Sequence, residues 1–213
     1  MDRFVIGALA VAAAFVYGPS NAMALVDNMA QPTRDVTTID TRLWAAQSFM
    51  TDTDAHRLNG IDILAGRRAG DPVQYAALYS NGTLGPDALL STFSIAVGSG
   101  SLAVTSLLPA VQVVLAPATA YWLVIGASGV GSLGWAYAEG NAYSGSGSFG
   151  AYGYSNDLGV SWNAFGTDNP YQMAVDVSAV PEPTTWALLA TGLLAVSCRR
   201  RWRVTASDRV GSQ

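Results

Sequence analysis

The sequence predicts an all-β fold, a β-sandwich of jelly-roll type, set between an N-terminal signal peptide and a single C-terminal transmembrane helix. Three observations predict it. Residues 25–180 carry little helical periodicity, and short apolar runs are separated there by Gly, Pro and Asn turn signals. No helix-length segments alternate with those runs, which sets the pattern apart from repeated strand–helix units. The two continuous apolar runs, 4–17 and 184–198, fall at the ends of the chain, where membrane handling explains them better than a core does.

The elements follow in order. Residues 43–50 are apolar and aromatic, 58–64 alternate as L-N-G-I-D-I-L, and 74–79 run into Ser80-Asn81-Gly82, a hairpin signal because Asn and Gly tolerate positive φ. Residues 91–97, 111–115 and 121–125 follow as strands, and 138–170 read as largely looped. Residues 171–177 alternate cleanly, placing Tyr171, Met173, Val175 and Val177 on one face. The chain of 213 residues thus divides into a signal peptide (1–24), a β-sandwich domain (25–179), a terminal segment (180–203) and a short tail (204–213).

Charge narrows the partners. Half of the residues are hydrophobic and 12% charged, so surface polarity must come from Ser, Thr, Asn and Gly, or part of the chain must meet lipid. All 11 basic residues are arginine, and residues 25–180 set five of them against twelve carboxylates, a net charge of −7. An acidic domain of this kind argues against nucleic acid, which needs a basic surface. The single Cys198 lies in the terminal apolar run, so the domain folds without a disulfide.

At the N-terminus, Arg3, a 14-residue apolar run and a Gly18-Pro19 break precede Ala22-Met23-Ala24. Small residues at Ala22 and Ala24 place signal cleavage after Ala24, so the expected partners include the secretion translocon and signal peptidase. At the C-terminus, residues 184–198 as a helix reach about 22 Å, short of the roughly 30 Å hydrocarbon core. Trp186 at one border and snorkelling Arg199, Arg200, Arg201 and Arg203 at the other extend that reach. The positive-inside rule keeps the arginines cytoplasmic and residues 25–180 outside the inner membrane. Ahead of the helix, Pro181 and Pro183 fix φ and hold Val180-Pro181-Glu182-Pro183 extended, a form that a protease or transpeptidase cleft binds.

Val180-Pro181-Glu182-Pro183, an apolar helix and Arg199-Arg200-Arg201, in that order, resemble the PEP-CTERM sorting signal of Gram-negative bacteria. The resemblance implies recognition by an exosortase, a membrane-embedded cysteine transpeptidase that cleaves at the Pro-Glu-Pro region, and an association with exopolysaccharide and biofilm. It departs from the usual pattern in the ten residues that follow Arg203. A second resemblance rests on scattered landmarks, many of them aromatic: Ala45-Ala46-Gln47-Ser48-Phe49, Leu58 to Leu64, Ala116-Pro117-Ala118-Thr119-Ala120-Tyr121-Trp122-Leu123-Val124, Trp135, Tyr154-Ser155-Asn156-Asp157, Trp162 and Pro170-Tyr171-Gln172-Met173. Their order is similar to the choice-of-anchor R type of bacterial surface domain, which implies an exported β-rich module and transfers no catalytic residues.

Other constellations are weaker. Gly129-x-Gly131-x-x-Gly134 spells a dinucleotide fingerprint, but a strand-like run follows where a helix N-terminus is needed, so no cofactor is expected. Asp52 and Asp54 open like a calcium loop without its glycine or terminal glutamate; solvated loop charge is expected, and calcium in another arrangement stays open. His56 has no Cys or His partner nearby and is expected on the surface, so no transition-metal site is assigned. Asn81-Gly82-Thr83 fits a glycosylation triplet but is explained first by its turn.

The aromatics interleaved with Gly, Ser and Asn carry more. Trp135, Tyr137, Tyr152, Tyr154 and Trp162 are candidates to pack on sugar rings, against the alternative that such residues fill the core. The expected function is that of a non-catalytic exported surface or matrix protein, processed by an exosortase and contacting extracellular polysaccharide. The alternatives are a lectin-like domain on a permanent membrane anchor and a glycan-active enzyme, which would need two facing carboxylates.

Overall fold

The computed structural model describes residues 22–180. The signal-peptide run, Pro181 to Pro183, the apolar segment and the arginine cluster lie outside the described residues. Two units divide the chain, Met1–Ala179 and Val180–Gln213.

Among the described residues there are thirteen strands and no helix. They are β1 (Met23–Asp27), β2 (Thr33–Ile39), β3 (Trp44–Met50), β4 (His56–Gly70), β5 (Val73–Asn81), β6 (Pro86–Ser94) and β7 (Ala103–Pro109), followed by β8 (Val114–Leu115), β9 (Ala120–Ser128), β10 (Gly131–Ala138), β11 (Ser148–Ser155), β12 (Asn163–Ala164) and β13 (Met173–Ala179). All strand pairs are antiparallel and form one open path, β1-β13-β4-β7-β6-β5-β9-β3-β11-β12, with β10 and β8 also paired to β4 and β2 paired to β10.

Alternation explains how this path encloses a core. On β9, Tyr121, Leu123, Ile125 and Ala127 face one way and join the main apolar cluster, whereas Trp122 and Val124 face the other way. The main cluster unites Phe49, Leu78 and Leu123 from the β3-β5-β9 half with Ile39, Ile63, Trp135 and Val175 from the β2-β4-β10-β13 half. The sheet therefore folds over onto itself, and a narrow β6–β7 ladder, Phe93 with Pro109 and Ser94 with Leu108, joins the halves by strand pairing. The fifteen-residue β4 is the spine of its half. One edge takes β13 and then β10, and the other takes β8 and then β7.

The expected shared face over 171–177 holds, although Gln172 and Ala174 on the opposite side are buried as well. Tyr171, Met173, Val175 and Val177 are all buried, and each aliphatic side chain contributes about 1.5–3 kcal/mol by leaving water. The hairpin at Ser80-Asn81-Gly82 is also present: Asn81 pairs with Pro86, and the Gly82 N–H donates to the Gly85 carbonyl at 2.8 Å.

Three expectations need correction. The 138–170 region contains β11 and β12, because its glycines admit close strand approach; a Cβ on Gly150 would lie 2.4 Å from Ser48 Oγ. The strand expected at 111–115 shrinks to Val114–Leu115, while Ala103–Pro109 forms the longer β7. His56 is not a surface residue but is 3% exposed at the start of β4, covered through its pairing with Leu115 and Ala179.

Candidate functional site

A cavity of about 210 Å³ opens where β2, β10, β11 and the segment before β13 meet, lined by Arg34, Tyr137, Tyr152, Tyr154, Asp168, Asn169 and Tyr171. Each side chain arrives for a local reason. Along the β2–β10 ladder, Tyr137 pairs with Asp35 and Ala138 with Thr33, so Arg34 is the extra residue of a β-bulge. A bulge turns its residue out of the regular alternation, and this one contributes a guanidinium to the cavity lining. Tyr152 and Tyr154 share one face of β11 by strand period, next to a second register shift against β3.

The rim is held by two asparagines. The Asn169 N–H donates to Asn141 Oδ1 at 2.8 Å, and the Gly140 N–H donates to Asn169 Oδ1 at 2.9 Å. Asn141 Nδ2 then donates to Asp168 Oδ1 at 3.2 Å. Asn169 has a φ of 55°, a left-handed conformation that Asn tolerates better than most residues.

The floor is Tyr171. Its ring stacks on Trp135 at 4.2 Å, Tyr137 meets it edge-on at 6.2 Å, and its hydroxyl donates to Thr37 Oγ1 at 2.8 Å, with Tyr154 Oη 3.2 Å away. Its backbone N–H donates to Gln47 Oε1, while the Gln47 amide donates to the Ser48 and Gly150 carbonyls. Burial pushes the Tyr171 phenol far above its usual range; burial first, then the neighbouring Tyr154 and Asp168, also raises that of Tyr152. Both hydroxyls stay protonated and neutral at physiological pH.

Of the five aromatics proposed from sequence, Tyr137, Tyr152 and Tyr154 meet here. Trp135 does not: it is 0% exposed and its Nε1 donates to the Gln172 carbonyl at 3.1 Å, so it is core and its assignment as a surface contact is corrected. Trp162 sits apart, packed on the cluster of Ala46, Trp122 and Val124, beside a second cavity of about 350 Å³ between the 82–87 turn and Val160. Sequence reasoning missed Arg34, Asp168 and Asn169. The only local signal was the turn-forming Asp168-Asn169-Pro170.

The remaining constellations resolve structurally. His56 Nε2 lies 2.6 Å from Asp52 Oδ1, and Ser146 Oγ donates to Asp52 Oδ2. Burial opposes ionisation of Asp52, but hydrogen bonds from Ser146, the Asp54 N–H and His56 prevail and hold its carboxyl below the usual value. The serine touches the aspartate rather than the histidine, so the trio lacks the geometry of an activated nucleophile. Both Asp52 oxygens are engaged, and no group of three metal-ligating side chains occurs among the described residues. Gly129 and Gly131, with φ of 77° and 136°, form the tight crossing from β9 to β10, and Gly134 lies inside β10. Asn81 Oδ1 accepts from Trp122 Nε1 at 2.7 Å. Ala22 is exposed ahead of β1, and Ala24 lies opposite Asp176, so cleavage after Ala24 would leave Val26 and Asp27 paired with Val175 and Ala174.

A comparison with curated proteins returns no match for the chain. Residues 179–201, from the last residue of β13 through Val180, Pro181, Glu182 and Pro183 to Arg199, Arg200 and Arg201, match the PEP-CTERM protein-sorting motif. The chain carries a sorting signal that supports export, membrane anchoring before processing, and processing by an exosortase.

Proposed function

We propose that this chain is a non-catalytic surface or extracellular-matrix protein of a Gram-negative bacterium, exported by a cleaved signal peptide and released from its membrane-anchored intermediate by an exosortase. Its setting in this reading is exopolysaccharide or biofilm. One observation carries the proposal: the sorting motif begins at Ala179, where the last strand ends, so every described strand precedes the processing region. The finer fold reading belongs to the same proposal. A folded-over sheet around one core supports a sandwich of jelly-roll type, and the choice-of-anchor R resemblance would place it among modular surface domains.

A second reading, a lectin-like domain on a permanent anchor, is favoured by the tyrosine-lined cavity. A glycan-active enzyme has less support, since Asp168 is the one carboxylate lining that cavity and glycoside hydrolysis uses two.

The deciding experiment is the intact mass of the protein from cells with and without the exosortase, beside a variant carrying Pro181→Ala and Pro183→Ala. Loss of the tail near Pro181 in wild type only, and only with the enzyme, is the expected result. A tail retained in every sample overturns the sorting reading in favour of a permanent anchor.

A further inference from the structure

We infer that the cavity between Arg34, Tyr152 and Asp168 binds one uncharged pyranose ring. The inference deepens the extracellular reading above by naming a ligand class, and it rests on that reading only for where the sugar is met.

Size comes first. At about 210 Å³ the cavity is smaller than the roughly 300 Å³ at which pockets for drug-sized ligands begin. That space suits a single six-membered ring, with the rest of a longer chain left outside the opening.

Charge comes next. Arg34 supplies one positive group and Asp168 one negative group, while burial keeps the Tyr152 and Tyr171 hydroxyls neutral. The ion pairs among the described residues are His56–Asp52 and Arg67–Asp71, so Arg34 has no carboxylate partner there. A lining that balances its own charge favours a neutral ligand over phosphate, which would meet the Asp168 carboxylate.

Hydrogen-bonding capacity then selects hydroxyls. A guanidinium only donates and a carboxylate only accepts, whereas each sugar hydroxyl does both, so neighbouring hydroxyls can satisfy the two at once. Asp168 gives one oxygen to Asn141 and keeps the other uncommitted among the described residues. The Tyr152 ring is already stacked on Phe165 at 5.5 Å, so its position is fixed before a ligand arrives. The bonds from Gly140 N–H to Asn169 Oδ1 and from Asn169 N–H to Asn141 Oδ1 fix the rim in the same way, and such preorganisation lowers the ordering cost of binding.

Saturation-transfer NMR and calorimetry on the full, uncleaved chain in lauryldimethylamine oxide, a detergent without sugar, provide the test. The probes are the methyl α-pyranosides of glucose, galactose and mannose and the methyl glycoside of glucuronic acid. At least one neutral glycoside should bind with a Kd on the order of 1 mM, as expected for so small a ligand. Asp168→Asn and Arg34→Met should each weaken it at least tenfold with an unchanged near-ultraviolet circular dichroism spectrum, while Trp162→Ala should leave it within twofold. Absence of binding to all three neutral glycosides, a tenfold preference for the glucuronide, or wild-type affinity in both cavity variants overturns the inference. Because uncleaved protein is used, failure here is separable from failure of the sorting reading, which intact mass reports.

Discussion

Tyr152 and Tyr154 project from β11 toward the main core and the cavity, whereas Trp122 projects from β9 to the other side, where Trp44, Tyr75, Tyr79 and Trp162 cover it. The two regions use the same residue types and differ in the regularity of the strands beneath them. Under the outer cluster, the β5–β9 and β3–β9 ladders run without a register shift, and the aromatics lie on one another: Trp44 stacks on Tyr75 at 4.9 Å, and the Tyr75 and Tyr79 hydroxyls are 2.8 Å apart. Around the cavity, both the β2–β10 and β3–β11 ladders shift register. Aromatic side chains touch one another in both regions, but beside the interrupted ladders tyrosines also line an opening with Arg34 and Asp168.

The strongest way to break the comparison is Trp135→Ala. Removing the ring on which Tyr171 stacks should cost about 3–5 kcal/mol in urea unfolding, the range for a large aromatic lost from a core. A loss below about 1 kcal/mol would mean that the cavity floor does not depend on this stack. Gly126→Ala probes the outer cluster in the opposite sense, by adding a methyl. Its Cβ would lie 2.4 Å from the Trp44 ring, so overpacking should cost about 1–3 kcal/mol and shift tryptophan fluorescence; unchanged stability and emission would show a loosely packed cluster.

The smallest effect concerns the turn that leads into Trp162. Hydrogen bonds from the Ser161 hydroxyl and N–H, and then from Ser155, hold Asp157 down to about 2 against an ordinary value of 3.8. A folded-state value below the unfolded one makes the contribution complete above pH 3.8 and removes it as pH falls through about 2. Carbon-13 titration of the Asp157 carboxyl should show a midpoint near 2, and a midpoint near 3.8 would mean that the serines do not cap it.

Much of the framework was readable because burial on one face leaves a period of two. In β4, buried Ile61, Ile63 and Ala65 alternate with half-buried Asp62 and Leu64, whereas Trp44–Met50 and residues 171–177 were legible from apolar content although both their faces are buried, and the Ser80-Asn81-Gly82 hairpin from its turn residues. β11 was hidden because its Gly and Ser residues read as loop, although they are there to let β3 approach. His56 follows exposed Asp54 and half-buried Ala55, both outside the strand, and its burial comes from Leu115 and Ala179, distant in sequence. At the cavity, the tyrosines were legible as candidates, whereas the bulge that brings in Arg34 depends on how β2 and β10 align and has no local signature. Trp135 and Tyr137 share a strand face, yet only Trp135 is fully enclosed, and alternation alone does not separate them.

β13 lies between β1 and β4, and among the described residues it is the last strand in the sequence. A chain that stops before Met173 would lack an interior slat, leaving β1 without its neighbour and a row of open hydrogen-bonding groups along β4. The sorting motif follows that strand directly. Any product that carries the sorting motif therefore also carries the strand that fills the interior gap between β1 and β4.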